Sequence, residues 1–151
     1  MITNRCTRGL TENPEAKQIR QTVFVEEQGF HNEFDAMDAE AWHVVLWKDE
    51  HAIATGRTFP AQGKTHAWTI GRVAVRKPYR GQGIGALVVR KLEEIARQHG
   101  AASFMLSAQV RARGFYETIG YHAIGEPYLD EYCPHVTMIK RAGEDNKEEL
   151  P

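Results

Sequence analysis

Apolar residues first recur at helical spacing just after Asn13-Pro14. Ala16, Ile19, Val23 and Phe24 fall on one helix face, and Gly29 supplies a stop. Asn13 reads as the N-cap, with proline at the first helical position, where a missing N–H costs nothing. Phe30 to Glu40 is polar and acidic, the composition of a loop. Trp42-His43-Val44-Val45-Leu46-Trp47 is a short apolar run, Asp49-Glu50 a turn, and the alternation from His51 to Phe59 predicts the returning strand of a hairpin. Pro60 to Lys64 reads as a loop and Trp68 to Val75 as the next strand, ending in Val73-Ala74-Val75. After Arg76-Lys77-Pro78 comes a glycine turn, Arg80-Gly81-Gln82-Gly83-Ile84-Gly85. It opens a helix with Ile84, Leu87, Val88, Leu92, Ile95 and Ala96 on one face, closed by Gly100. Ala102 to Ala108 predicts a strand and Val110 to Ile119 a short helix, in which Gly114 costs ~1 kcal/mol relative to alanine. Tyr121 to Ile124 and His135 to Lys140 predict two further strands. The charged, apolar-poor end from Gly143 to Pro151 is expected to be a disordered tail. With no repeat and no linker, this order predicts one mixed α/β domain of the α+β type over residues 1–141, with a tail over 142–151.

Composition fits that picture: 151 residues, 42% hydrophobic and 26% charged, describe one ordinary globular domain. Nineteen Lys+Arg against twenty Asp+Glu leave a net charge of −1, which argues against a nucleic-acid partner. No apolar run approaches the ~18 residues of a membrane span, and the polar start from Met1 to Gly9 is not a signal peptide. Cys6 and Cys133 match no paired zinc pattern and are too few for a disulfide scaffold. The expectation is a cytoplasmic protein with neither nucleic-acid nor membrane partners and no metal. The charge is segregated, however. Glu26 to Glu50 holds eight acids and one base, whereas His51 to Leu92 holds eight bases and no acid. Such runs are either solvated faces or an anion site beside an acidic wall, and charge alone does not choose.

The glycine turn carries the chemistry. The first N–H groups of a helix lack internal acceptors and sit at the positive end of its dipole. Glycines let those amides face an anion without a Cβ in the way, so the turn is a phosphate cradle flanked by Arg76, Lys77 and Arg80. A Walker loop is excluded because Ala86-Leu87 follow Gly85, and the dinucleotide fingerprint because the glycines run G-x-G-x-G with no acid about 20 residues on.

The spacing Arg80-x-x-Gly83-x-Gly85 after a Val-Ala-Val strand end resembles the GNAT superfamily of N-acetyltransferases. A second block, Gly114-Phe115-Tyr116-Glu117-Thr118-Ile119-Gly120-Tyr121, resembles that family's F-Y-x-x-x-G-F/Y signature. Several shorter pieces are similar to its ElaA/YjcF-like branch: Ile19-Arg20-x-x-Val23-Phe24-Val25-x-Glu27-Gln28, Asp35-x-x-Asp38 with His43, Ile70-Gly71-Arg72-Val73-Ala74-Val75, and Pro134-His135. The resemblance spans the Pro14 helix to the Lys140 strand. It implies a mostly antiparallel, twisted mixed sheet flanked by helices, and acetyl-CoA as the acetyl donor to an amine.

Residue roles follow from the resemblance. Amides of Gly81, Gln82, Gly83, Ile84, Gly85 and Ala86 would hold the pyrophosphate beside Arg80, and Val73, Ala74 and Val75 would pair with the pantetheine arm. Tyr116 would protonate the departing sulfur, while Phe115 reads as a core aromatic. Some family members carry a glutamate on the strand before the turn, and Trp68 to Val75 has none. The base therefore stays open among Glu26, Glu27, Asp35, Asp38, His43 and His135, with Glu27 preferred because its helix borders the acceptor site in this fold. Residues His31, Asp35, Asp38 and His43 fit no named metal site. The acidic segment suggests a cationic small-molecule or peptide amine. Relatives are commonly dimeric, and the sequence leaves a homodimer open. A non-catalytic acyl-CoA sensor remains the rival reading.

Overall fold

A computed structural model of the chain describes residues 1–63 and 66–143. The expected tail therefore lies, from residue 144 on, outside the described residues, as do residues 64 and 65 near the end of the Pro60–Lys64 loop. Seven strands form a mixed sheet with helices, an α+β fold: β1 (Ile2–Arg8), β2 (Trp42–Lys48), β3 (His51–Pro60), β4 (Ala67–Val75), β5 (Ser103–Gln109), β6 (His122–Asp130) and β7 (Cys133–Arg141). Their order is β1-β2-β3-β4-β5-β7-β6. Three α-helices join them: α1 (Pro14–Arg20), continued by a π-helical stretch over Gln21–Glu27, α2 (Ile84–Gln98) and α3 (Arg113–Thr118). The chain forms two compact units, Met1–Phe59 with Ile70–Ile95, and Pro60–Thr69 with the residues from Ala96 on.

In the first unit β1 pairs antiparallel with β2 from Ile2↔Lys48 to Arg8↔Trp42. The sequence pattern does not predict this strand. Its side chains are exposed or half-buried, so no apolar alternation marks it, and it is held through its backbone. β2 and β3 form the expected hairpin, with a bulge at Leu46/Trp47. Ala16, Ile19 and Val23 bury their helical face against Val45 and Ala74. On β3, a Cβ placed at Gly56 would come within 2.6 Å of Val88 and 2.7 Å of Leu92, so α2 can lie this close only over glycine. Asn13 occupies the N-cap position of α1 but makes no side-chain cap. It is fully buried, and its Nδ2 donates instead to the carbonyls of Arg5 and His43, both at 3.3 Å, tying the helix start to β1 and β2.

In the second unit β4 pairs parallel with β5 over Ala67–Thr69, and β5 pairs antiparallel with β7 from Ser103↔Arg141 to Gln109↔His135. Phe104, Leu106, Val136 and Met138 are buried there. β6 is longer than the expected Tyr121–Ile124 strand, and its register with β7 shifts between Ile124 and Tyr128, where Pro127 has no N–H to donate. The expected Val110–Ile119 helix divides into a 3-10 turn over Val110–Ala112 and then α3.

Candidate active site

Gly81 and Gly83 both sit at φ +78°, with open space where a Cβ would be. Conformation, not crowding, therefore asks for glycine at these positions. The first helical hydrogen bond of α2 runs from Leu87 N to Gly83 O at 3.3 Å, so the amides of Ile84, Gly85 and Ala86 lie ahead of it. They stand at the positive end of a 15-residue helix, the arrangement that receives an anion.

The strand leading into the turn is sewn to β3, with Arg76 N–H donating to Ile53 O at 2.8 Å and Arg76 Nε to Ala52 O at 2.9 Å. Arg80 folds back: its Nε donates to Val75 O and its Nη2 to Glu27 Oε2, both at 2.8 Å. Three residues singled out by sequence, Glu27, Val75 and Arg80, are thus in direct contact. Glu27 holds an ion pair, and the Val75 carbonyl already accepts one hydrogen bond.

The acidic loop behaves differently. Asp35 and Asp38 form a reciprocal cap on the 3-10 turn Ala36–Ala39: Asp35 Oδ1 accepts from Met37 N, and Asp38 Oδ2 accepts from Asp35 N, both at 3.1 Å. Arg20, buried on the first helix, donates Nη1 to Asp38 Oδ1 at 2.7 Å and Nε to Glu33 Oε2 at 2.9 Å. Arg57 Nη1 bridges Asp35 at 2.7 Å and Asp38 at 2.8 Å. Arg72 completes the cluster against Glu33 at 3.1 Å and Asp35 at 3.4 Å.

Charge and burial set the proton affinities of this cluster. Hydrogen bonds from Arg57 hold the Asp35 carboxyl below the usual range. Burial pushes Asp38 up, but the bonds and charge of Arg20 outweigh it and the net shift is down. Burial wins at Glu33, which is raised against the pull of Arg72 and Arg20. His43, fully buried, donates Nε2–H to Asp38 O at 2.9 Å; burial lowers its pKa, and Nδ1 has no partner among the described residues. Of the six candidate bases, Glu27 is thus paired with Arg80, Asp35 and Asp38 are in arginine pairs, and His43 is enclosed. Glu26 is exposed, and His135 is buried with Nδ1 2.9 Å from Cys133 O. No group of three or more metal-ligating side chains occurs among the described residues.

Tyr116 lies on α3 in the second unit, packed edge-on against Phe115 (centroids 4.9 Å apart) and Tyr121 (5.9 Å). Burial pushes its phenol up to about 12. The sequence assigns Phe115 to the core, yet it is 37% exposed, and Tyr116 is the more enclosed of the two. The residues that sequence reasoning misses are Glu33 and Arg57; Arg20 and Arg72 stand out there only as branch markers. A signal is present, since Arg20 interrupts the apolar face of Ile19 and Val23, and Arg57 is the one Lys, Arg, Asp or Glu in the His51–Pro60 strand.

Comparison with known proteins agrees with this geometry. Residues 11–121 match the model of the Acetyltransferase (GNAT) family. The uncharacterized N-acetyltransferase YjcF of Bacillus subtilis is 33% identical over 129 residues, covering 83% of this chain and 90% of YjcF. The crystal structure of Escherichia coli ElaA aligns with TM-score 0.82 and 26% identity, over 93% of this chain and 99% of ElaA. An acyl-CoA N-acyltransferase from Pseudomonas aeruginosa aligns with TM-score 0.81 and 27% identity, over 93% and 99% of the two chains. With its glycine turn, its mixed seven-stranded sheet and these relatives, the chain belongs to the GNAT family of acyltransferases, in the ElaA/YjcF-like branch.

Proposed function

We propose that the protein moves an acetyl group from acetyl-CoA to a primary amine by direct attack. The observation that carries this reading is the left-handed Gly81/Gly83 turn, which sets the amides of Ile84, Gly85 and Ala86 at the start of a long helix directly after a strand end. Those amides, with Gly81, Gln82 and Gly83, would hold the pyrophosphate, and Arg80 would stand beside it. Backbone dipoles act locally, which is how a chain of net charge −1 can take a polyanion. Val73, Ala74 and Val75 would line the pantetheine arm.

In the reaction the amine nitrogen attacks the thioester carbon, the C–S bond breaks, and the amine loses a proton while the sulfur gains one. Tyr116 is the proposed donor to the departing sulfur. A phenol at about 12 stays protonated through the whole neutral range. A thiol has a pKa of ~8.5, so the phenol acts mainly by hydrogen-bond donation as charge develops on sulfur. Glu27 is the proposed proton acceptor, directly or through water. Accepting a proton would cost it the Arg80 pair, which makes Glu27 and Arg80 one functional unit.

The proposed acceptor is cationic, and few acids of the acidic segment are open to it. Glu33, Asp35 and Asp38 are committed to arginines. Support comes from a cleft of about 400 Å³ in the first unit, where Glu50 lines the wall with Arg76, Trp47, Tyr79 and Glu15, the last 3.5 Å from Arg5. The test is acetyl-CoA with a panel of amines, following free thiol. Turnover with at least one amine is expected, with Tyr116→Phe reducing kcat. Turnover by Tyr116→Phe at the wild-type rate would remove the donor assignment. Tight coenzyme A binding without turnover on any amine would favour an acyl-CoA sensor, a reading supported by the absence of an acid on β4.

A further inference from the structure

Arg72 combines a strained backbone with an anchored side chain. Its φ is +50° inside β4, although the neighbouring Gly71 has no positive φ and has open space where a Cβ would go. A left-handed residue other than glycine persists only where its surroundings hold it there. Here the guanidinium is held: Nε lies 3.1 Å from both the main-chain oxygen and Oε2 of Glu33, and Nη2 lies 3.4 Å from Asp35 Oδ2. Both carboxylates are fixed from behind. Arg20 Nε reaches Glu33 at 2.9 Å, and Arg57 reaches the two oxygens of Asp35 at 2.7 and 3.0 Å. The chain then enters Val73-Ala74-Val75 and the glycine turn. An interruption in the pleat of a strand ends ladder pairing and re-aims the backbone that follows it.

We propose that Arg72 is a positioning residue: pinned by Glu33 and Asp35, it sets the backbone of Val73–Val75 to receive the thioester arm of the donor. This rests on the acetyl-CoA reading above. It adds that donor affinity is set in part from the acidic loop, by groups that do not touch the donor. It also gives Asp35, one of the branch-marking acids, a function other than attracting the amine.

The probe is coenzyme A, titrated calorimetrically into the wild-type protein and into Arg72→Ala and Arg72→Lys. Lysine keeps the charge but loses the fork that reaches both carboxylates at once. Loss of about tenfold in affinity is expected for the alanine variant and of about threefold or more for the lysine variant. The KM for acetyl-CoA should rise in step, with kcat and the KM for the amine unchanged. A merely structural role would lower the melting temperature and the active fraction and leave both KM values where they were. If the alanine variant does not fold, the lysine variant decides. Affinity within about twofold of wild type in the folded variants overturns the positioning role alone. A wild-type protein that does not bind coenzyme A overturns the acetyl-CoA reading, and the positioning role with it.

Discussion

The first unit contains two polar regions built on opposite plans. In the acidic loop, Arg20, Arg57 and Arg72 meet Glu33, Asp35 and Asp38 at 2.7–3.4 Å, and their charges answer one another. At the glycine turn, the amides of Ile84, Gly85 and Ala86 precede the first helical bond and present donors rather than pairs. The first region is rich in ionisable groups and has little capacity left for a ligand. The second has few side-chain charges and much capacity. Chemistry follows unsatisfied polar groups, not the density of charge, and this is why a charge run is a poor guide to a site.

The sharpest way to break this contrast is to remove one charge from the closed region. Asp38→Ala leaves Arg20 and Arg57 short of a buried partner, so it should cost about 3–5 kcal/mol of stability. Urea denaturation measures it, and a loss under about 1 kcal/mol would show that the cluster is a solvated surface network instead. At the open region the expected response is in binding. Gly83→Glu brings a carboxylate and a strained left-handed residue to the cradle, and coenzyme A affinity should fall about 100-fold, or ~2.7 kcal/mol, in a calorimetric titration. Unchanged affinity would falsify the anion-site assignment.

Away from both regions, Gly56→Ala drives a methyl group toward Val88 and Leu92 and should cost about 1–3 kcal/mol in thermal unfolding. A stability equal to wild type would mean that α2 shifts freely over β3.

The pH response should be gentler still. The lowered pKa of His43 means that the unfolded chain, at ~6.5, binds its proton first. The stability it contributes is complete above ~6.5 and is lost as pH falls below that value. Asp35 and Asp38, held low, contribute stability above ~3.9 that is lost as pH falls further. Glu33, held high, works in the opposite direction, because the folded protein binds its proton first. Unfolding free energies measured from pH 8 to pH 3 should therefore decline in two stages, and His43→Gln should flatten the upper one. A profile with no decline between pH 7 and pH 5 would contradict the buried, neutral imidazole.

Legibility varies with the kind of signal each segment carries. The α2 face of Ile84, Val88 and Leu92 is periodic because a helix packed on a sheet must hide one stripe, and that stripe is visible in the letters. β1 is invisible there because it joins β2 chiefly by backbone pairing, which every sequence possesses, and by one side-chain contact, Arg5 over Trp47, that no apolar alternation announces. Asn13 is readable as a helix start but not as a buried donor to Arg5 and His43, since those carbonyls arrive from other strands. Phe115 and Tyr116 are readable as a motif, whereas which of them is enclosed depends on Tyr121 packing across from the end of α3.

By itself the sequence determined the order of elements from α1 onward, the glycine turn and the family, because these depend on local spacing and on conformations that only certain residues adopt. Only the tertiary structure decided which charges are available. The eight acids between Glu26 and Glu50 look alike as letters. Their separation into arginine-bound Glu33, Asp35 and Asp38, Arg80-bound Glu27 and cleft-lining Glu50 depends on partners 13 to 53 residues away, brought close by folding. Electrostatic interaction depends on distance in space and on burial, and neither is written in the spacing along the chain.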